Sequence, residues 1–285
     1  MLPLSLIVIV FEMGRELPRT LLSLSPPYQD FDPGDYEIVV IDNGSRAPAR
    51  QQDFAHLKAN IRVLSCSTRS PSPVAAINEG LSLARGSLIG VWIDGARMAS
   101  PGLLRACAQA AALHPRPVIA TPNYQLGPDL QRISSAQGYD QAEEDALLAS
   151  IGWPRDGYRL FDIATPEIRG GPFGAMLESN ALFLPRALWD ELGGYDEAFQ
   201  EPGGGVANPD TLLRAVALPD TQLIRIFGEG TFHQIHGGLS TSTQERAIQM
   251  LKEASRTYLR LRGKPLVPVR ARGWVYDSRT GMVTR

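Results

Sequence analysis

The chain opens on an apolar run over residues 4–11, broken only by Ser5, and a similar texture returns at residues 36–41, 60–65, 88–93 and 117–121. Short runs of Ile, Val and Leu without polar alternation predict strands buried on both faces. Helical spacing fills the gaps between them. Residues 16–24 form one such stretch, stopped by Pro26-Pro27, and residues 73–84 another, closed by Gly86. A third opens at Ser100-Pro101, a polar N-cap with proline at the first helical position, and runs to residue 113. This alternation predicts an α/β fold with a mainly parallel central sheet flanked by helices.

After Thr121 the rhythm breaks. Residues 122–180 hold many Gly, Pro and polar residues, one helical stretch at 139–151 and no strong strand pattern. A long irregular insertion of this kind is more often a binding region than scaffold. Strands resume at 181–184 and 222–227, and helices at 186–192, ended by Gly193-Gly194, and at 209–216. Gly203-Gly204-Gly205 predicts a tight or mobile turn. Ala247, Leu251, Ala254, Tyr258 and Leu261 recur at four-three spacing, which gives the last helix one apolar stripe.

Composition narrows the function classes. With 28 Lys+Arg against 30 Asp+Glu and a net charge of -2, nothing global points to nucleic acid. The only lysines are Lys58, Lys252 and Lys264, so the positive charge is almost all arginine. Arginine suits bidentate recognition of phosphate or carboxylate, although a GC-rich coding bias would leave the same trace. Cys66 and Cys107 fit neither a disulfide framework nor a metal-ligand spacing. The first apolar run is far shorter than the ~20 residues of a membrane span and lacks the flanks of a secretory signal. A soluble cytoplasmic protein is expected. From Arg256 on, Arg260, Arg262, Lys264, Arg270, Arg272, Arg279 and Arg285 face a single acid, Asp277. Such a tail suits anionic lipid headgroups at a membrane surface, or is simply solvated and partly disordered.

Two strands stop on an aspartate and then turn: Ile38-Val-Val-Ile-Asp42-Asn43-Gly44-Ser45 and Leu88-Ile-Gly-Val-Trp-Ile-Asp94-Gly95-Ala96-Arg97. In an open α/β sheet the carboxyl ends of adjacent strands form the ligand crevice. Two carboxylates delivered there suit a polyhydroxylated ligand better than a core. The competing reading of Asp42 is that it caps the following turn.

The order of these two strands, the segment Ala76-Ile-Asn78-Glu-Gly80-Leu-Ser-Leu-Ala84-Arg-Gly86, Ser100-Pro101 and the downstream Leu192-Gly-Gly-Tyr195-Asp196-Glu197-Ala-Phe199 resembles family 2 glycosyltransferases of the GT-A fold. The resemblance spans residues 4 to about 214. It implies a GT-A-like nucleotide-diphospho-sugar transferase fold and transfer of a sugar from a nucleotide diphosphate to a glycan or glycoconjugate, usually with inversion, as in bacterial surface polysaccharide synthesis. Residues 1–121 would then bind the nucleotide-sugar, 122–240 would form the acceptor side of the same domain, and 241–285 a C-terminal helix and basic tail. Asp42 would contact the nucleobase and Asp94 the ribose or metal region, with Phe11, Glu12, Asn43, Arg69, Asn78 and Gly95 completing the nucleotide-binding set.

Two departures bear on the chemistry. The family's Asp-x-Asp reads Asp94-Gly95-Ala96 here, so alanine stands where a ligand of Mn or Mg is expected. Its Glu-Asp pair, whose aspartate serves as general base, is replaced by Ala207-Asn208, and an amide cannot take a proton at neutral pH. A departing diphosphate still needs positive charge aimed at it, which arginine can supply. Arg97 is therefore one catalytic candidate, against its reading as a surface residue. His233 and His236, in a Gly-rich stretch, are candidates to rebuild a metal site with Asp94, although spacing of three on an extended segment predicts that one ring points inward. Asp210 is the nearest carboxylate to the vacated base position, with Glu178 and Glu201 as rivals; its alternative role is to stabilise a helix N-terminus. A GT-A domain that binds nucleotide or glycan without turnover is the main competing function. A nucleotidyltransferase fits less well, because Phe11-Glu12-Met13-Gly14-Arg15 is a poor phosphate loop.

Overall fold

The computed structural model describes residues 2–68, 70–168, 170–237 and 244–285. Along the first half run β1 (Leu2–Val10), α1 (Glu16–Ser23), β2 (Tyr36–Asp42), β3 (Ile61–Ser65), α2 (Val74–Leu83), β4 (Gly86–Trp92), β5 (Arg97–Ala99), α3 (Leu103–Ala111) and β6 (Pro117–Ala120). The second half adds β7 (Asn123–Leu126), α4 (Gln131–Ser134), α5 (Gln141–Ser150), β8 (Ala164–Pro166), β9 (Ala181–Pro185), α6 (Arg186–Leu192) and α7 (Ala207–Ala217). It ends with β10 (Gln222–Phe227), β11 (Thr231–His233), α8 (Gln244–Arg262), β12 (Trp274–Asp277) and β13 (Met282–Thr284).

The larger sheet has the order β13-β12-β10-β6-β9-β4-β1-β2-β3, parallel except where β9 runs against β4 and β6 and where β13 turns back along β12. Strand β1 shows why these runs lack polar alternation. Leu6, Val8 and Val10 pack into one apolar layer with Leu17 and Leu21 of α1 and Leu103 and Leu104 of α3. Ile7 and Ile9 point the other way, towards Val74 and Ile77 of α2, Trp189 of α6 and Leu212 of α7. Both faces are covered, so residues 6–10 are apolar on either side of the strand. Each such side chain contributes roughly 1.5–3 kcal/mol on burial, which fixes the sheet and hence the carboxyl ends of β1, β2 and β4.

The last helix follows its predicted stripe where it is described. Ala254 and Tyr258 are buried and Leu261 packs against the same layer. The side chains of Ala247 and Leu251 lie outside the described residues. Among the described residues no helix is long and apolar enough to cross a membrane.

Three regions differ from the sequence expectation. A second sheet, in the order β5-β11-β7-β8, occupies the region with no strong strand pattern. Its strands are three or four residues long, too short to show a period. Arg97, expected in a loop, begins β5 and is buried. The basic tail is not a loose extension either: β12 and β13 form a hairpin on the edge of the large sheet. Its arginines lie on aromatic faces, Arg272 over Phe173 and Arg285 over Trp274.

Candidate active site at the strand ends

The turn after β2 holds its acid by backbone. Asp42 Oδ1 accepts from the amides of Gly44 (3.0 Å) and Ser45 (2.7 Å), and Oδ2 accepts from the Ala49 amide (3.2 Å). The carboxylate thus shapes the loop, as the capping reading of this residue requires. Asn43 donates through Nδ2 to the carbonyls of Ser70 (3.0 Å) and Ser72 (3.4 Å). Its Oδ1 is buried and accepts no hydrogen bond among the described residues. A buried acceptor left unpaired costs on the order of 1–3 kcal/mol, which an incoming N–H or O–H donor would recover.

The loop after β1 closes the same crevice. Phe11 is half exposed, and Glu12 sits in the left-handed backbone region at φ 54°. The Glu12 amide donates to Ser45 Oγ (2.9 Å), and its carboxylate accepts from the Arg46 amide (2.9 Å) and Nε (3.1 Å). The Arg46 backbone donor lowers the Glu12 pKa. Asn78, a candidate for the nucleotide, is engaged with a neighbouring loop. Its Oδ1 accepts from the Tyr195 amide and its Nδ2 donates to the Tyr195 carbonyl, both at 2.9 Å, so it ties α2 to the 195 loop. Arg69 lies outside the described residues.

At the end of β4, Gly95 lets the turn press onto β1, where a Cβ would sit 3.0 Å from Val10 Cγ2 and 3.2 Å from the Ile9 carbonyl. That turn presents Asp94 to β5 and β11. Asp94 Oδ1 accepts from the Ala96 amide (3.1 Å), and Oδ2 accepts from Arg97 Nε (2.9 Å). Burial alone would raise the Asp94 pKa, but the Arg97 charge, helped by His233, brings it down to about 2. Ala96 is fully buried in the apolar layer that holds Met13 and Leu17, so its side chain packs inward.

The small sheet lines up the remaining groups. Antiparallel pairing of β11 with β5 sets His233 opposite Arg97, and parallel pairing with β7 sets His233 opposite Gln125. His233 Nδ1 lies 2.7 Å from Gln131 Oε1, and Gln131 Nε2 donates to the His233 carbonyl at 2.9 Å. Gln125 accepts from the Gln131 amide and donates to Glu167 Oε1 at 2.6 Å. His233 Nε2 lies 3.2 Å from His236 Nε2 and 4.0 Å from Asp94 Oδ2. Burial first, then the nearby Arg97 charge, press the His233 pKa well below its ordinary value.

Arg97 is 7% exposed. With the Asn180 amide turned so that its oxygen faces the guanidinium, that oxygen accepts from both terminal nitrogens at 3.1 and 3.2 Å. Two further carboxylates, Glu167 and Glu178, act on its charge and raise its pKa, against the lowering effect of burial. Glu178 accepts from Asn208 Nδ2 at 3.0 Å, and the Tyr195 hydroxyl donates to Asn208 Oδ1 at 3.2 Å. Desolvation, followed by the Glu167 charge, raises the Glu178 pKa.

Asp210 is placed otherwise. Arg262 donates to its Oδ1 at 2.6 Å, and Arg262 and Arg214 each donate to its Oδ2 at 2.8 Å. Arg262 also pairs with Asp196 at 2.5 Å. Both oxygens of this buried carboxylate are taken up by the two guanidiniums, and the pairing locks α8 onto α7. Glu201 has a buried Oε2 without a hydrogen-bond partner among the described residues and lies beside Gly205.

The chemistry suits a cation of the protein's own. Asp94, His233 and His236 do converge, yet among the described residues no group of three His, Cys, Asp or Glu is arranged to hold a metal ion. Arg97 Nε occupies the oxygen of Asp94 that faces His233. A divalent ion placed there would meet a buried guanidinium of like charge, so these residues do not fit a metal centre. The sequence also gave no hint of Gln125, Gln131, Glu167 or Asn180. Only the polar-aromatic-polar triplet Asn123-Tyr124-Gln125 carried a trace of a two-faced strand.

The parallel sheet, its strand-end carboxylate and the small sheet closing over it define a GT-A type α/β transferase fold. Residues 5–174 match the family described as glycosyl transferase family 2, and the chain belongs to that family. Among solved structures it is similar to residues 1–349 of S. aureus TarS, at 14% identity and a TM-score of 0.55 over 90% of this chain. It is also similar to the mannosyltransferase PcManGT from Pyrobaculum calidifontis, solved with GDP-Man and Mn2+, at 16% identity and a TM-score of 0.57 over 93% of this chain. The chain spans 66% of the length of each of those two chains. Another TarS structure of similar likeness, at 16% identity and a TM-score of 0.54, was solved with UDP-GlcNAc. It matches over 90% of this chain and 67% of its own. No curated protein sequence matches the chain.

Proposed function

We propose that this family 2 protein transfers a sugar from a nucleoside diphosphate donor to a hydroxyl of a glycan or glycoconjugate, with inversion. One observation carries this reading: the buried Arg97–Asp94 pair at the carboxyl end of β4, in register with His233. The nucleoside would lie against Phe11 and Glu12, with its base donating to Asn43 Oδ1 on a loop shaped by Asp42. Arg97 would face the diphosphate, and its charge would stabilise the leaving group as the glycosidic bond breaks. The bound nucleotide-sugars of the two structural relatives, GDP-Man in one and UDP-GlcNAc in the other, support this class of donor.

For the base we favour Glu178 over Asp210. Glu178 lies within reach of the Arg97 charge, its raised pKa suits proton uptake, and Asn208 holds it. It would take the acceptor proton as the hydroxyl oxygen attacks the anomeric carbon from the side opposite the diphosphate. Incubation with UDP- and GDP-sugars, reading nucleotide release with and without a panel of oligosaccharide acceptors, tests the reading. Release that no donor elicits, together with nucleotide binding, would favour the second reading, a GT-A domain that binds without turnover. The presence of an amide at Asn208, beside Glu178, is the observation that favours it.

A further inference from the structure

On the far side of the small sheet lies a cavity of about 400 Å³. Tyr124 of β7 forms part of its wall, while the flanking Asn123 and Gln125 turn to the opposite face, towards the strand-end site. The other walls come from α3, from the turn carrying Tyr158 and Phe161, and from the tip of the β12–β13 hairpin with Arg279. The cavity and the crevice at the strand ends therefore share one sheet as their partition.

Its floor is a buried carboxylate that gathers four donors from three segments. Glu229 is 4% exposed and accepts from Ser100 Oγ (2.5 Å), the Gly102 amide (3.2 Å), the Tyr158 hydroxyl (2.8 Å) and Ser278 Oγ (3.4 Å). Gly102 keeps that floor open. Its backbone angles, φ -97° and ψ 3°, lie on the negative-φ side that other residues also adopt. Yet a Cβ there would collide with Glu229 Oε1 and lie 2.8 Å from the Tyr158 hydroxyl. The requirement at this position is for space.

We infer that this cavity is a second binding site, for one or two neutral sugar rings of a glycan. Its volume falls within the roughly 300–1,000 Å³ of small-ligand sites. Tyr124, Tyr158 and Phe161 supply ring surface for the C–H faces of a sugar, and Tyr158, with its proton committed to Glu229, offers lone pairs to a sugar hydroxyl. Anionic ligands are disfavoured. The two guanidiniums at the rim are already paired, Arg105 with Asp30 and Arg279 with Asp277, and Glu229 sits beneath them. Arginine N–H groups not used in those pairs remain as donors to hydroxyls. The inference rests on the proposed glycan acceptor: a chain held on the back of the small sheet would stay close while its end reaches the front.

Saturation-transfer NMR with maltose, cellobiose and chitobiose, each at about 10 mM as befits millimolar affinity, tests the site. At least one disaccharide should bind the wild type, weaken about tenfold or more in Tyr158→Ala and in the surface variant Arg279→Ala, and keep its affinity in Asp94→Asn. Binding that is lost in Asp94→Asn, or unchanged in both cavity variants, overturns the site, as does silence from all three sugars. UDP and GDP titrated in parallel keep the two readings apart. Nucleotide binding without any sugar binding defeats only the cavity site, and sugar binding without nucleotide binding defeats only the donor reading.

Discussion

Arg97 Nε lies 2.9 Å from Asp94 Oδ2, and this pair takes the place at the end of β4 where a metal-bound acid would be expected. The guanidinium is 8% exposed as a side chain and the carboxylate 20%, so water screens the pair only partly. Removing one partner leaves the other charge poorly solvated. Arg97→Ala should lower stability by about 2–3 kcal/mol and weaken nucleoside diphosphate binding by tenfold or more. Calorimetry and denaturant melts measure both. The same geometry predicts that Mn²⁺, Mg²⁺ or a chelator changes the wild-type Kd for UDP or GDP less than twofold. A strict metal requirement would show that Arg97 does not serve as the cation.

Asn43 carries a prediction about the nucleoside end. Its Oδ1 has no donor in the described structure, so a ligand N–H that reaches it gains a hydrogen bond of about 1–1.5 kcal/mol. Asn43→Ala should cost about tenfold in nucleotide affinity. If all nucleotides bind the variant as tightly as wild type, the base does not sit on this residue.

Two carboxylates should separate in their effects. Glu178→Gln should abolish transfer while leaving nucleotide binding and melting temperature near wild type, because Glu178 is partly exposed and borders the site. Asp210→Asn should do the reverse. It removes the charge that holds Arg214 and Arg262, loosening α8 from α7 at a cost of about 2 kcal/mol, tempered by the partial exposure of both arginines. Donor turnover retained in Glu178→Gln and lost in a fully folded Asp210→Asn would return the base role to Asp210.

How much of this was legible follows from the length of the elements. The large sheet could be read because its inner strands are buried on both faces and leave long apolar runs, as β1 does. Asp42 and Asp94 were visible because a charge ending such a run is conspicuous. The small sheet was hidden because β5 and β11 are three residues long, and their polar side chains are satisfied by groups distant in sequence or on other elements. Pairing between Arg97, His233 and Gln125 depends on register over residues 97–233, and local spacing carries no record of it. The pairing of Asp210 was hidden for a related reason: its partner Arg262 lies 52 positions away.

Glu144 of α5 gives the pH dependence. Its side chain is fully buried, with Oε2 accepting from the Ile235 amide at 2.6 Å and Oε1 from Arg15 at 3.2 Å; Arg19 lies 3.8 Å away. Burial, only partly offset by these donors, raises its pKa to about 7. The folded state therefore holds a proton that the unfolded chain has lost above about pH 4.5, so stability falls as pH rises through this window and levels off above pH 7. Tyr139, Arg15, Arg19, Glu143 and Asp145 surround the group. Denaturant melts from about pH 4.5 to pH 8 should show a slope worth about 3 kcal/mol in wild type that is absent in Glu144→Gln. The same slope in the variant would assign it to another group.

The tautomer of His233 follows from Gln131. Because Gln131 Nε2 donates to the His233 carbonyl, its Oε1 is the atom facing Nδ1, and an amide oxygen only accepts. Nδ1 must then carry the proton, and Nε2 presents a lone pair to His236, whose Nε2 donates across 3.2 Å. With its pKa pressed well below the ordinary value by burial and by Arg97, His233 should stay neutral throughout the pH range in which the protein is assayed. Nitrogen NMR should show a protonated Nδ1 and an unprotonated Nε2 on this ring, unchanged between about pH 6 and pH 8. Gln131→Ala should release that constraint, letting the ring exchange tautomers and blurring the two nitrogen signals towards each other. A protonated Nε2 in wild type would reverse the order of donors, leaving His236 as the acceptor and Gln131 without its partner.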